Sequence, residues 1–384
     1  MITIHPPHIS KTDDGLCRLS ADFDFGERRE EMWLEVPVEY ASWLCADRCD
    51  AFLVAVIYFA LLNNEDIVCK APVSEELLYK LREYLINGLL KADATLKKIT
   101  ITAKTIPSLP AKTKGAIVTG MSCGVDSLHA LAHLQEDGYS GLRPTHLIFN
   151  KVGAQHSDKY GEKQHQFRIE NARALASEQG LPLIEVESNV QMLIPLKHVV
   201  HGGYRNAFVI LAMQRGISAY FLASGKSFAQ LDLTHHRSSF SSYDLVQLDT
   251  FSTPSLQFYS AGANISRFEK TAVISSFPPS YKYLNVCFWV KGEGKNCTIH
   301  CEKCQRTILQ LETLGCLDKY GKVFDLELYR KNRMSMFRNA VKLYARGDAG
   351  YKECYQWLCG QMPFLIRLWF AYYRILDLFR QKRK

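Results

Sequence analysis

Two groups of residues in this chain have the types and spacing to do chemistry. The first is Ser122-Cys123-Gly124-Val125-Asp126-Ser127, set between the apolar run 116–119 and a helix-forming stretch. Small residues there let backbone close on an anion, and the N–H groups of a following helix N-terminus point at it. The spacing fits neither G-x-x-x-x-G-K-[ST] nor G-x-G-x-x-G. The second group is Cys287, Cys297, Cys301 and Cys304, a C-x9-C-x3-C-x2-C array around a Gly/Lys loop. Four thiolates at this spacing suit tetrahedral Zn²⁺ and fill its coordination shell, so the site reads as structural. An iron–sulfur cluster is the alternative for the same donors; His300 could replace a cysteine but reads better as a solvent-facing loop histidine.

Elements must position these groups. Strand–helix alternation is expected from residue 113 onward: strands at 116–119, 145–149, 183–186 and 219–223, with helices at 127–136, 163–179 and 205–215. This is the pattern of an α/β fold, a parallel sheet with helices on both faces and ligands at the carboxyl ends of its strands. Residues 1–112 read as a preceding α+β domain. Strands are expected at 16–25, 32–40, 67–71 and 98–106, with an apolar helix at 50–62 and a second helix from the Ser74 cap to about residue 90. Pro107-Ser108-Leu109-Pro110 reads as a linker. Residues 113–285 form the expected nucleotide domain, and 286–384 the zinc segment with a helical C-terminal region.

Composition narrows the class. A 47% hydrophobic content supports a globular chain with a sizeable core. Twelve cysteines after an N-terminus with no secretory pattern point to a reducing, cytoplasmic setting. The stretch 365–379 is apolar and aromatic but interrupted by Arg367, Arg374 and Asp377, and a basic run, 380–384, follows. That pattern excludes a membrane span and leaves packing on the chain itself, a homodimer contact, or peripheral contact with an anionic membrane.

The loop 122–127 resembles the S-G-G-x-D-S pyrophosphate loop of the PP-loop ATP pyrophosphatases, with Cys123 in place of the first glycine. With Arg205-Asn206 read as opening a helix and the late four-cysteine array, the chain is most similar to 7-cyano-7-deazaguanine synthase-like members of that superfamily. The similarity covers roughly residues 113–310. It implies an adenine nucleotide alpha hydrolase-like fold and a ligase that uses ATP and Mg²⁺ to adenylate a small carboxylate. Pyrophosphate leaves, and ammonia or an amine then takes the acyl group to give an amide or nitrile.

On that resemblance Ser122, Cys123, Gly124, Val125 and Ser127 cradle pyrophosphate, while Asp126 orients the loop or holds Mg²⁺. Arg205 meets charge on the α-phosphate, Asn206 fixes that phosphate or the sugar, and Asn150 lies by the adenine. Gly225, Lys226 and Lys270 are further phosphate-side candidates. Cys123 reads as a small residue tolerated in a turn rather than a nucleophile, and His235-His236 as a loop pair. The chain lacks the Y-P-D-C-type segment that shapes a deazaguanine pocket; SSFSSYDLVQLDT occupies that region. Two alternatives stay open. One is a tRNA- or nucleobase-modifying, thiolating enzyme, which would add a nucleic-acid partner. The other is a non-catalytic nucleotide-binding protein.

Overall fold

The computed structural model describes residues 1–153, 159–287 and 295–381, and its contacts divide the chain into two units. Unit one comprises residues 1–121, 133–158 and 176–264; unit two comprises 122–132, 159–175 and 265–384.

Unit one is built on an eleven-stranded, mostly parallel sheet. Its N-terminal strands are β1 (Ile2–Ile4), β2 (His8–Lys11), β3 (Leu16–Phe25), β4 (Arg28–Pro37) and β5 (Ile67–Cys69). β6 (Val73–Ser74) and β8 (Thr105–Ile106) pair with each other, while β7 (Ile101–Thr102) joins the large sheet. The later strands are β9 (Ala116–Gly120), β10 (His146–Lys151), β11 (Leu183–Ser188), β12 (Ile217–Ala223) and β13 (Gln257–Ala261). The order is β13-β12-β9-β10-β11-β4-β3-β1-β5-β7, with β2 on β3. The run β13-β12-β9-β10-β11 is parallel throughout, and β9 lies where the strand order reverses. That is the doubly wound arrangement, whose crevice opens at the carboxyl ends beside the first strand.

Local sequence explains the strands. In β3, Cys17, Leu19, Ala21 and Phe23 are buried, and in β4 so are Met32, Leu34 and Val36. This period of two sends one face to the core. The helix Asp50–Asn63 is apolar on all sides, and eleven of its fourteen residues are buried, as expected of a helix covered all round. It packs on the helix His198–Ala212 through Phe52 against Phe208 and through stacked Tyr58 and Tyr204.

Several boundaries differ from the sequence reading. β11 pairs antiparallel with β4, so residues on both sides of position 112 share one sheet and one unit. The stretch 98–106 breaks into β7 and β8, because Lys104 gives its carbonyl to Val73 N–H. The helix expected at 127–136 is Val125–Leu134, and the one expected at 205–215 is His198–Ala212. Arg205-Asn206 therefore lies mid-helix and opens nothing.

Unit two is helical. Helices Arg267–Ile274, Glu302–Thr313, Leu326–Ala345, Lys352–Gln361 and Pro363–Gln381 follow one another. Ile308, Leu311, Phe337, Val341, Leu358 and Ile366 are buried among them. Among the described residues no helix is long and apolar enough to cross a membrane.

Candidate functional site

The loop 122–127 and its surroundings in unit two form the first site. Gly124 gives its carbonyl to Leu128 N–H at 2.9 Å, which starts the helix. The N–H groups ahead of Leu128 are the helix's orphan donors. Ser122 Oγ lies 3.2 Å from Ser127 Oγ, and Ser127 Oγ also donates to the Gly124 carbonyl at 3.2 Å. Cys123 has φ +56°, a left-handed conformation natural to glycine. Its side chain is fully buried, and burial pushes the thiol up to about 12. It is a thiol, not a thiolate, at neutral pH, which argues against a nucleophile. A Cβ on Gly124 would meet nothing closer than Ser122 Oγ at 3.4 Å. The Asn285 carbonyl would lie 3.7 Å from the same Cβ, so both neighbours stand at ordinary contact distance.

Asp126 stands in the helix's first turn and faces two cations. Arg267 Nη1 donates to its Oδ2 at 2.5 Å, and Lys270 Nζ lies 3.7 Å from its Oδ1. Both cations come from one helix, which a Ser266/Glu269 capping box begins. Lys270 is 1% exposed. Lys303 is pushed down to about 8, first by burial and then by the charges of Arg267, Arg168 and Arg306, with Asp126 opposing. Asn285 is tied to the loop through its N–H on the Cys123 carbonyl at 2.8 Å. Its side-chain oxygen and nitrogen are both buried without a hydrogen-bond partner. Buried amides are almost always paired, so an orphan beside a helix N-terminus marks a place for a ligand or water. Of the residues singled out in the sequence, Lys270 lies beside Asp126. Arg267, Asn285, Arg168 and Lys303 were missed, since a lone Asn or Arg carries no spacing signal.

The second site of unit two gathers Cys287, Cys297, Cys301 and Cys304, whose sulfurs all lie within 4.8 Å of one another. Cys297 Sγ is 3.6 Å from Cys304 Sγ, close to the ~3.8 Å edge of a tetrahedron with Zn–S bonds of about 2.3 Å. Backbone N–H groups of Cys297 and Cys304 donate to the sulfurs of Cys287 and Cys301, each at 3.4 Å. Such donors favour thiolates and orient the ligands. Hydrogen bonding within the tetrad pulls Cys287 down to about 7 and Cys301 lower, and pushes Cys297 and Cys304 up. The cluster can hold a metal ion such as zinc. Thr298 takes φ +62° in the turn after Cys297, an unusual conformation for a β-branched residue. The Gly/Lys loop 288–294 lies outside the described residues.

Unit one holds the remaining candidates. β12, β9 and β10 are adjacent and parallel, so Gly120, Asn150 and Ala223 leave the sheet along one edge. Asn150 Nδ2 donates to Asn206 Oδ1 at 3.0 Å, which joins two residues singled out separately. Lys226 Nζ donates to Ser242 Oγ at 2.8 Å, and Ser224 Oγ donates to the Lys226 carbonyl and to Asp244. Gly225 stands between them, with room for a Cβ only 3.0 Å from Ser241 Oγ.

Arg205 departs from expectation. Its guanidinium is 1% exposed and donates to the carbonyls of Val152, Ile194 and Leu196 at 3.1, 2.9 and 2.7 Å. Burial lowers it to about 10. It is a clamp on two backbone segments, at Val152 and at 194–196, rather than a side chain aimed at a phosphate. His236 lies in a turn, as a loop residue, but is buried there: it is hydrogen-bonded to Tyr58 Oη at 2.8 Å and paired with Asp93.

Compared with protein-family models, with curated proteins and with solved structures, the chain finds no match in any of the three.

Proposed function

We propose that this chain is an ATP-dependent adenylating ligase of the PP-loop type, with an adenine nucleotide alpha hydrolase-like fold and a zinc-bearing C-terminal segment. One observation carries the reading. A small-residue loop with Ser122 and Ser127 opens a helix whose Asp126 organises Arg267 and Lys270, with the orphaned amide of Asn285 alongside. Helix N-terminal donors, two cations and an unsatisfied amide are complementary to a polyphosphate, not to a neutral ligand.

In this reading the substrate carboxylate attacks the α-phosphorus of ATP, the α–β bridging P–O bond breaks, and pyrophosphate leaves. The orphan N–H groups and the hydroxyls of Ser122 and Ser127 take the leaving pyrophosphate, and Arg267 and Lys270 balance its growing charge. Asp126 holds both cations in position. Its Oδ1, buried and without a hydrogen bond, also suits Mg²⁺, which would neutralise phosphate charge. Ammonia or an amine then attacks the acyl carbon, AMP departs and an amide forms with loss of a proton. Arg205 fixes the segments it clamps within unit one.

The test is pyrophosphate release from ATP and Mg²⁺ with ammonium and a panel of carboxylates, carboxy-deazaguanine included, with Asp126→Ala as control. Release that needs both a carboxylate and Asp126 is expected. Bound ATP with no release under any mixture overturns the reading in favour of nucleotide sensing.

A further inference from the structure

The positive charge of this chain is not spread over it. Residues 326–384 contain thirteen Lys and Arg against four Asp and Glu, whereas residues 1–325 contain 34 against 35. The whole net charge of +8 is therefore carried by the segment that forms the last three long helices. A segment this basic is an electrostatic attraction for an anionic partner.

The helix Pro363–Gln381 shows which kind. Its inner face is settled: Ile366 is fully buried, Phe370 packs on Tyr355 and Tyr344, and Asp377 accepts from Arg346 at 3.2 Å. Its outer face carries Phe364, Leu368, Tyr372 and Ile375, exposed by 83, 55, 48 and 53%. Their spacing of four, four and three residues aligns them in one stripe. Arg367 and Arg374 are exposed beside that stripe, Arg374 also donating through Nη1 to the Ala345 carbonyl at 3.3 Å, and between residues 363 and 377 no acid is exposed with them. Arg380, Lys382, Arg383 and Lys384 continue the charge in sequence; their side chains lie outside the described residues.

We propose that this face docks on an anionic lipid surface, with the helix Pro363–Gln381 lying in the plane of the interface. The stripe enters the acyl boundary while the arginines meet lipid phosphate and carboxylate. Charge argues against a second copy as the occupant, because two such faces would repel each other. Nucleic acid would satisfy the arginines but gives Leu368 and Ile375 nothing to enter.

The experiment is co-sedimentation of the full chain with phosphatidylcholine vesicles, with and without about 30 mol% phosphatidylserine, at about 0.1 M salt. Binding at least roughly tenfold tighter to the anionic vesicles is expected, weakening steadily as salt rises. Phe364→Asp/Leu368→Asp should weaken it by about 100-fold or more, with an unchanged far-UV spectrum and unfolding midpoint, because both side chains face solvent. The salt series needs no variant and guards against a folding defect. Equal affinity for neutral vesicles, or no pelleting, overturns the proposal. So does a dimer that the double variant dissolves, or single-stranded RNA bound equally well by wild type and variant.

Discussion

Lys270 Nζ lies 3.7 Å from Asp126 Oδ1 while Arg267 holds the other oxygen of the same carboxylate. One acid thus sets two cations against the start of one helix. Asp126→Asn keeps the shape and removes the charge. With Asp126 about one-fifth exposed, the expected loss of stability is about 1–3 kcal/mol by urea denaturation. Pyrophosphate release should fall by roughly 100-fold or more. A variant with normal turnover would leave Asp126 as a structural acid only.

Cys123 occupies a glycine conformation with a buried sulfur. Cys123→Gly should change stability by no more than about 1 kcal/mol, since relief of the left-handed strain opposes loss of the packed thiol. ATP cleavage should survive. In the folded wild type, iodoacetamide at about pH 8 should leave this cysteine unmodified, because its thiolate fraction is far too small. Peptide mass spectrometry reads the outcome, and rapid alkylation would contradict the burial.

Metal analysis should find one zinc per chain, removed by chelation with a fall in the unfolding midpoint. Cys304→Ser should do the same at all pH values. Protons compete with the ion for the thiolates, so retention of the ion should weaken as the solution is made acidic. Retention that persists unchanged at about pH 2 would argue against thiolate ligation.

His201 is fully buried between aromatic rings, and burial, then the charges of Arg205 and His198, holds it well below the usual histidine range. The unfolded chain binds a proton there that the folded chain refuses. Stability from this group is therefore full above about pH 6.5 and falls by about 1.4 kcal/mol per pH unit below it. His201→Leu should flatten that acid limb. Denaturation midpoints at about pH 7.5 and about pH 5.5 decide it; an unchanged slope would place the acid sensitivity elsewhere.

Arg205→Lys tests the clamp. One ammonium cannot reach the carbonyls of Val152, Ile194 and Leu196 together. Loss of stability on the order of 2 kcal/mol is expected without nucleotide present. A stable variant defective only in ATP turnover would restore Arg205 to the phosphate.

The sequence announces what is local. The small-residue loop 122–127 and the cysteine array are legible because their form depends on neighbours within a few residues, and the strand alternation because side chains repeat every two. Other features depend on distant partners. Arg205 looked like a helix opener because nothing nearby shows that it would find carbonyls from Val152 and from the turn before its own helix. Asn285 matters only because it hydrogen-bonds to Cys123, 162 positions earlier. The boundary at 112 failed for the same reason: a proline-flanked stretch reads as a linker, but β4 and β11 pair across it.

That pairing has a price in time. Trp33 N–H donates to Asn189 Oδ1, a partner 156 residues downstream. During synthesis β4 leaves the ribosome long before the strand that completes it exists, with β3 as its neighbour and its other edge open. Closing so distant a contact is slow and exposes strand edges to other chains meanwhile. The nascent chain is thus expected to need chaperone shielding until β11 emerges, and a heterologous host translating it quickly should yield more of it as aggregate than one translating it slowly.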